Sequence, residues 1–183
     1  QDIAVTVTNV NEAPVITSNG GGATATPISV AENSTAVTTV TSTDVDASAT
    51  ATYSIVGGAD QSKFVIDAST GALSFASAPN YESPTDSGTN NVYDVTVRVS
   101  DGTLTDTQDI AVTVTNVNEA PVISSNGSGT TAAVNVAENS TAVTTVTSTD
   151  VDASATATYS IVGGADAAKF IIDASTGALS FVS

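Results

Sequence analysis

The sequence predicts an all-β chain made of tandem seven-stranded Greek-key β-sandwich repeats, and three observations carry that prediction. First, residues 31–60 recur letter for letter at 137–166, and residues 1–16 recur at 108–123, so one unit is about 106 residues long, the size of a domain. Second, Val and Ile alternate with Thr, Ser, Ala and Asp along several segments, and a period of two with β-branched residues marks strands with one buried face. Third, no segment sustains a helical period. Clusters of Gly, Asp, Asn and Ser interrupt the apolar runs, as turns require.

In chain order, Ile3, Val5 and Val7 alternate with Ala4, Thr6 and Thr8, and Ile110, Val112 and Val114 repeat the pattern. Thr17–Thr26 reads as a flexible loop of small residues; the next copy carries Ser124–Ala133 there and is one residue shorter between Ile123 and Ala137 than the first is between Ile16 and Ala31. Val37 and Val40 stand three apart, which predicts a bulge in an extended run. Tyr53–Ile55 and Phe64–Ile66 are short strands, and Ala72–Phe75 follows the turn Asp67–Gly71. Gly57-Gly58 and Asp101-Gly102 mark further turns, and Tyr93, Val95, Val97 and Val99 give the longest alternating run. About seven strands per unit make a small sandwich with antiparallel, Greek-key connections. The repeat boundaries divide the chain into the last strand and linker of a preceding repeat (1–13), a complete repeat (14–118) and a second repeat that breaks off (119–183). The chain thus reads as a window on a longer array.

Composition narrows the function. Nineteen carboxylates face three cations, for a formal net charge of −16. Nucleic acids and anionic membranes need clustered Lys and Arg, so neither is an expected partner. Without Cys or His, zinc sites of the Cys/His kind and His- or Cys-based catalytic triads are excluded. No run of 18 apolar residues exists to span a membrane. Carboxylate pairs lying outside any aromatic-lined cleft do not suit a glycosidase, so the chain is not expected to be an enzyme. Asn33-Ser34-Thr35 and Asn139-Ser140-Thr141 match the N-glycosylation pattern but read better as local turn residues.

The carboxylates collect at strand ends. Asp44, Asp46 and Asp101 close strands that end at one pole of the sandwich, while Glu32, Glu82 and Glu119 belong at the other. A strand of about seven residues is about 23 Å long, so the two sets are far apart within one unit. When repeats stack, Glu32, Glu82 and Glu119 would face Asp150 and Asp152 of the next. Five carboxylates together repel strongly without a counter-ion. Ca²⁺ takes 6–8 oxygens of this kind, and Asn116 and Asn118 could add amide or carbonyl oxygens.

On these residues the unit resembles a cadherin repeat, an immunoglobulin-like sandwich. Val30-Ala31-Glu32-Asn33 is similar to that family's x-E-N motif, and Thr43-Asp44-Val45-Asp46 to its D-x-D. Ile66–Gly71 resembles I-D-x-x-T-G, Val97–Gly102 resembles V-x-A-x-D-x-G, and Asn116–Pro121 resembles the D-x-N-D-N-x-P linker. The five occur in order and cover nearly the whole chain. The Thr/Ala/Asn-rich composition is closer to the cadherin-like repeats of large bacterial surface adhesins.

The resemblance implies Ca²⁺ between successive repeats. Its ligands would be Glu32, Glu82, Asn116, Asn118 and Glu119 from one repeat, and Asp150 and Asp152 from the next. At the first joint the corresponding residues are Asn9, Asn11, Glu12, Asp44, Asp46 and Asp101. Three departures lower the charge. Asn80-Tyr81-Glu82 stands for D-x-E, the linker's first Asp is Asn116 and its second is Glu119, and the linker is one residue shorter. Two ions are therefore expected where the family has three. The loop after Asp46 would contribute a backbone carbonyl, and the second repeat has no counterpart of Asp101. The expected function is a calcium-rigidified structural and adhesive repeat of a long extracellular, cell-surface adhesin or filament. Its partners would be neighbouring repeats and other copies of the chain. The alternatives are a carbohydrate-binding module, whose one exposed ring would be Tyr81, and a strand-exchanging filament subunit.

Overall fold

The period-two runs become strands in the computed structural model, which describes residues 1–46, 49–152 and 155–183. They fall into two units, Gln1–Val117 and Asn118–Ser183. The loop carbonyl expected just after Asp46 lies partly outside the described residues, at positions 47 and 48.

In the first unit the strands are β1 (Val15–Ile16), β2 (Ile28–Ala31), β3 (Ala36–Thr39), β4 (Ser42–Thr43), β5 (Thr52–Gly57), β6 (Phe64–Ile66), β7 (Ala72–Phe75), β8 (Val92–Ser100) and β9 (Thr105–Thr115). β1 and β2 are two halves of one broken edge, and β3 and β4 are two parts of one run, so seven runs make the sandwich. One sheet has the order β2-β9-β8-β5; the other has β3-β7-β6, with β1 paired to β4. In β8 and β9 the side chains alternate as expected. Tyr93, Val95, Val97 and Val99 are buried from β8, and Gln108, Ile110, Val112 and Val114 from β9. The facing sheet contributes Leu73, Phe75 and Phe64, with Ile16 and Val40 beside them. Phe64 and Phe75 stack at 4.7 Å, and Tyr93 meets Phe75 edge-on at 5.2 Å.

Two details depart from a simple antiparallel reading. The register shifts between Ala36 and Thr38, which is the bulge that the Val37/Val40 spacing predicts. β2, however, runs parallel to β9. The loop after β1 carries the chain from one sheet to the other, so β2 reaches the last strand pointing the same way. The turn after β6 is built by Asp67, whose Oδ1 accepts the N–H groups of Ser69 (3.0 Å) and Thr70 (2.7 Å). Gly71 closes it at φ +72°, and a Cβ there would lie 2.1 Å from the Val40 carbonyl oxygen, so only glycine fits.

The second unit repeats one sheet. β10 (Val122–Ile123) pairs with β12 (Ser148–Thr149), and β11 (Ala142–Thr145) and β13 (Phe170–Ile172) flank β14 (Ala178–Phe181). Its register shift between Ala142 and Thr144 matches the one in the first unit. Residues 158–163 copy β5 in sequence but form no strand, because among the described residues no counterpart of β8 pairs with them. Residues 1–14 likewise form no strand, against the expectation from Ile3, Val5 and Val7. An alternating run becomes a strand only when a neighbour completes its hydrogen bonds. Among the described residues no helix is long and apolar enough to cross a membrane.

Candidate metal centre

At the end of the first unit where β4 and β8 finish, six of the expected residues come together. Asp44 follows β4, and its Oδ1 accepts the N–H of Asp46 at 2.8 Å, so the D-x-D pair is held by its own backbone. Asp46 in turn accepts from Asn9 Nδ2 (2.6 Å) and from the Glu12 N–H (3.0 Å). Asp101 sits in the turn after β8, where its Oδ1 accepts the N–H groups of Thr103 (2.6 Å) and Leu104 (2.7 Å). Its other oxygen accepts from Asn11 Nδ2 at 2.7 Å.

These bonds favour the charged forms. The Asn9 amide, then the Glu12 N–H, holds the Asp46 carboxyl below its usual range. The Asn11 amide, followed by the Leu104 and Thr103 N–H groups, holds Asp101 well below it. Asp101 also acts on Asp46 by like-charge repulsion, the interaction a divalent ion would reverse. Asp44 Oδ2 is buried and has no hydrogen-bond partner, although a buried carboxylate oxygen ordinarily finds one. Clustered carboxylates, amide groups and an orphaned buried oxygen form a hard-oxygen donor set that fits Ca²⁺. Thr103 was not singled out in the sequence, yet its Oγ1 accepts from Asn11 at 3.1 Å. Its place two residues after Asp101, in a turn, is the signal that could have found it.

At the unit's other end, Glu32 is 2% exposed. Its oxygens accept the N–H groups of Tyr81 (2.9 Å) and Val117 (2.8 Å), and it has an oxygen within 4.8 Å of one from Glu82. Asn80, the amide in place of a carboxylate, accepts the Ser83 N–H at 2.7 Å and so shapes the loop that carries Glu82. Asn116 is exposed at the end of β9.

The second unit reproduces the first unit's local pattern. The Glu119 N–H donates to Asp152 Oδ2 at 2.8 Å, and the Asp152 N–H to Asp150 Oδ1 at 3.0 Å. Asn118 Nδ2 donates to the Glu119 carbonyl at 2.9 Å, as Asn11 does to that of Glu12 at 3.2 Å. The same four residues, Asn11, Glu12, Asp44 and Asp46 in one copy and Asn118, Glu119, Asp150 and Asp152 in the other, thus fold the same way twice.

Several polar residues serve the scaffold. Buried Asp60 accepts from Ser87 N–H (2.6 Å) and Asp94 N–H (2.9 Å), tying a loop to β8. Asn33 and Asn139 take φ of +62° and +64°, a left-handed turn geometry that Asn tolerates. With Phe64, Phe75 and Tyr93 in the core, Tyr81, at 38% exposure, is the exposed ring of the first unit.

A family model described as the cadherin domain matches residues 26–117. Human Protocadherin Fat 1 is 33% identical over 127 residues, which is 67% of this chain and 3% of that protein. Halomucin of Haloquadratum walsbyi is 56% identical over 34 residues, or 19% of this chain. The chain therefore spans only a small part of the curated relatives it matches. Among solved structures, human protocadherin-24 EC1-2 aligns with a TM-score of 0.57 and 23% identity, over 96% of this chain and 80% of that one. That likeness establishes the Greek-key sandwich. The family is structural and adhesive rather than enzymatic, its domains are extracellular, and they generally bind Ca²⁺. With the x-E-N, D-x-D and Asp101-Gly102 residues at their two ends of the sandwich and the family model covering half its length, the chain belongs to the cadherin domain family.

Proposed function

We propose that this chain is a calcium-rigidified structural and adhesive segment of a long bacterial surface adhesin or filament, in which Ca²⁺ bridges successive repeats. In this reading residues 1–13 are the last strand and linker of one repeat, 14–118 a complete repeat and 119–183 the start of the next. The carrying observation is the convergence of Asn9, Asn11 and Glu12 on Asp44, Asp46 and Asp101, with the orphaned Asp44 Oδ2 among them. A linker and a strand-end cluster are held together there by amide hydrogens. A divalent ion supplies the same positive charge more strongly to the same oxygens. Glu32, Glu82, Asn116, Asn118 and Glu119 would act with Asp150 and Asp152 in the same way at the second joint. The match to Halomucin over 34 residues supports placing the chain in a prokaryotic surface protein, and the net charge of −16 makes neutralisation by cations favourable to the compact state.

The test is a thermal melt in EDTA, in Ca²⁺ and in Mg²⁺. At a Ca²⁺ concentration about 100-fold above Kd, binding raises the melting temperature by about 10 °C, and Mg²⁺ does much less. Changing Asp44 and Asp46 to Asn, or Asp150 and Asp152 to Ala, removes part of the rise. Equal melts in all three buffers would overturn the calcium reading.

A further inference from the structure

Glu32 and Glu82 hold carboxylate oxygens within 4.8 Å of each other, and two like charges this close repel. Glu32 is buried at the end of β2, but Glu82 stands in a segment, residues 76–91, that belongs to no strand. An untethered loop would swing its carboxylate away from Glu32, so the pair stays together only if the loop is held.

Tyr81, the residue before Glu82, is gripped from two sides. Its N–H donates to Glu32 Oε2 at 2.9 Å, and its carbonyl accepts from Asn91 Nδ2 at 2.9 Å. The peptide plane of that carbonyl also carries the Glu82 nitrogen, so Asn91 sets the direction in which Glu82 leaves the backbone. Asn91 is itself anchored: its N–H donates to Asp86 Oδ1 at 3.1 Å, and its carbonyl accepts the Val114 N–H of β9 at 2.8 Å. Asp86, 4% exposed, also accepts the Asn90 N–H at 3.0 Å. Two features of this arrangement cost free energy. Asn91 Oδ1 is buried with no hydrogen-bond partner, which leaves a desolvated acceptor unsatisfied. Thr89 takes φ +50°, a left-handed geometry that β-branched residues rarely adopt. Strain of this kind persists where the surroundings over-determine it, and it collects at ligand sites.

We propose that Asn91 is a positioning residue for a Ca²⁺ site at Glu32 and Glu82, an inference that rests on the calcium reading above. Acting through the Tyr81 carbonyl, it presets Glu82 beside Glu32 before an ion arrives. The ion then meets two carboxylates already in place, and the cost of ordering the loop has been met by folding rather than by binding, which raises affinity. Asp86 backs the clamp by fixing the turn from which Asn91 reaches out. Asn91 lies in none of the motifs that point to calcium, because its effect passes through a backbone carbonyl and not through a ligand atom.

The experiment compares the full chain with Asn91→Gly, because glycine keeps the φ of +62° at this position without strain while removing the amide. In EDTA, hydrogen-exchange mass spectrometry should show the amides of residues 80–83 exchanging at least about tenfold faster in the variant, with β8 and β9 unchanged. Asn91→Asp keeps the size and the turn geometry but offers no N–H to the Tyr81 carbonyl, and it should lose the same protection. The second readout is the ion. Tb³⁺, which shares the preference of Ca²⁺ for oxygen ligands, luminesces when a nearby phenol absorbs, and Tyr81 adjoins Glu82. The part of the signal that Tyr81→Phe abolishes therefore reports this site. Displacement by Ca²⁺ should give a Kd about fivefold higher in Asn91→Gly, the loss of one hydrogen bond, while the signal that survives Tyr81→Phe keeps its affinity. Unchanged exchange at 80–83, or an unchanged Kd at the Tyr81-reported site, would overturn the proposal and leave the calcium reading standing. A parent chain that binds neither ion would overturn both.

Discussion

Asp67 closes the turn between β6 and β7 with its own side chain, accepting the Ser69 and Thr70 N–H groups, and Asp173 does the same for Ser175 and Thr176. The Thr70 N–H, the largest influence, holds the Asp67 carboxyl below its ordinary value of 3.8, and the Thr176 N–H does so for Asp173. A depressed folded-state pKa stabilises above the unfolded value and is lost as pH falls through the folded one. Asp67→Ala should therefore lower the urea midpoint at pH 7. The gap from the parent chain should close as the pH drops below about 4; a gap that persists unchanged at pH 2 would contradict this origin. The candidate ligands obey the same local rules, since Asp44 and Asp101 fold their own turns. That is why Asp44-Val45-Asp46 and Asp101-Gly102 were legible as residue patterns, whereas the scaffold role of Asp60 was not: its partners Ser87 and Asp94 are remote in sequence.

At the scale of elements, β9 and residues 1–10 form a matched pair. Val112→Ala removes two methyl groups from a fully buried site and should cost about 2 kcal/mol. Val5→Ala alters the same residue in the same sequence context but at 82% exposure, and should cost less than about 0.5 kcal/mol. Equilibrium unfolding of the two variants in dilute solution gives both numbers, and similar costs would mean that residues 1–10 are packed. The alternation of Val and Ile was enough to assign the buried faces of β8 and β9. It could not give the parallel pairing of β2 with β9, because hydrophobic period carries no information about strand direction.

For the whole molecule, two units of nearly one sequence differ in how well their cores are covered. Residues 64–75 and 170–181 differ only at Val65 and Ile171. Each forms a strand, a turn and a strand with a stacked Phe pair, at 4.7 Å and 4.9 Å. Phe64 is 5% exposed while Phe170 is only half-buried. Amide exchange tracks the free energy of local opening, so the amides of 170–181 should exchange at least about tenfold faster than those of 64–75 in hydrogen-exchange mass spectrometry. Equal protection would mean that the second unit's face is covered in solution.

By itself the sequence determined the class of fold, the repeat, the buried faces of β8 and β9 and the Asp67 turn. All of these follow from interactions within a few residues or from a pattern that recurs along the chain. Only the tertiary structure decided which copies of those patterns are realised. QDIAVTVT belongs to a core strand at 108–115 but forms no strand at 1–8, and TYSIVG is a strand at 52–57 but not at 158–163. A strand's hydrogen bonds and its apolar face are both satisfied by its neighbours, so identical residues fold differently where the neighbours differ.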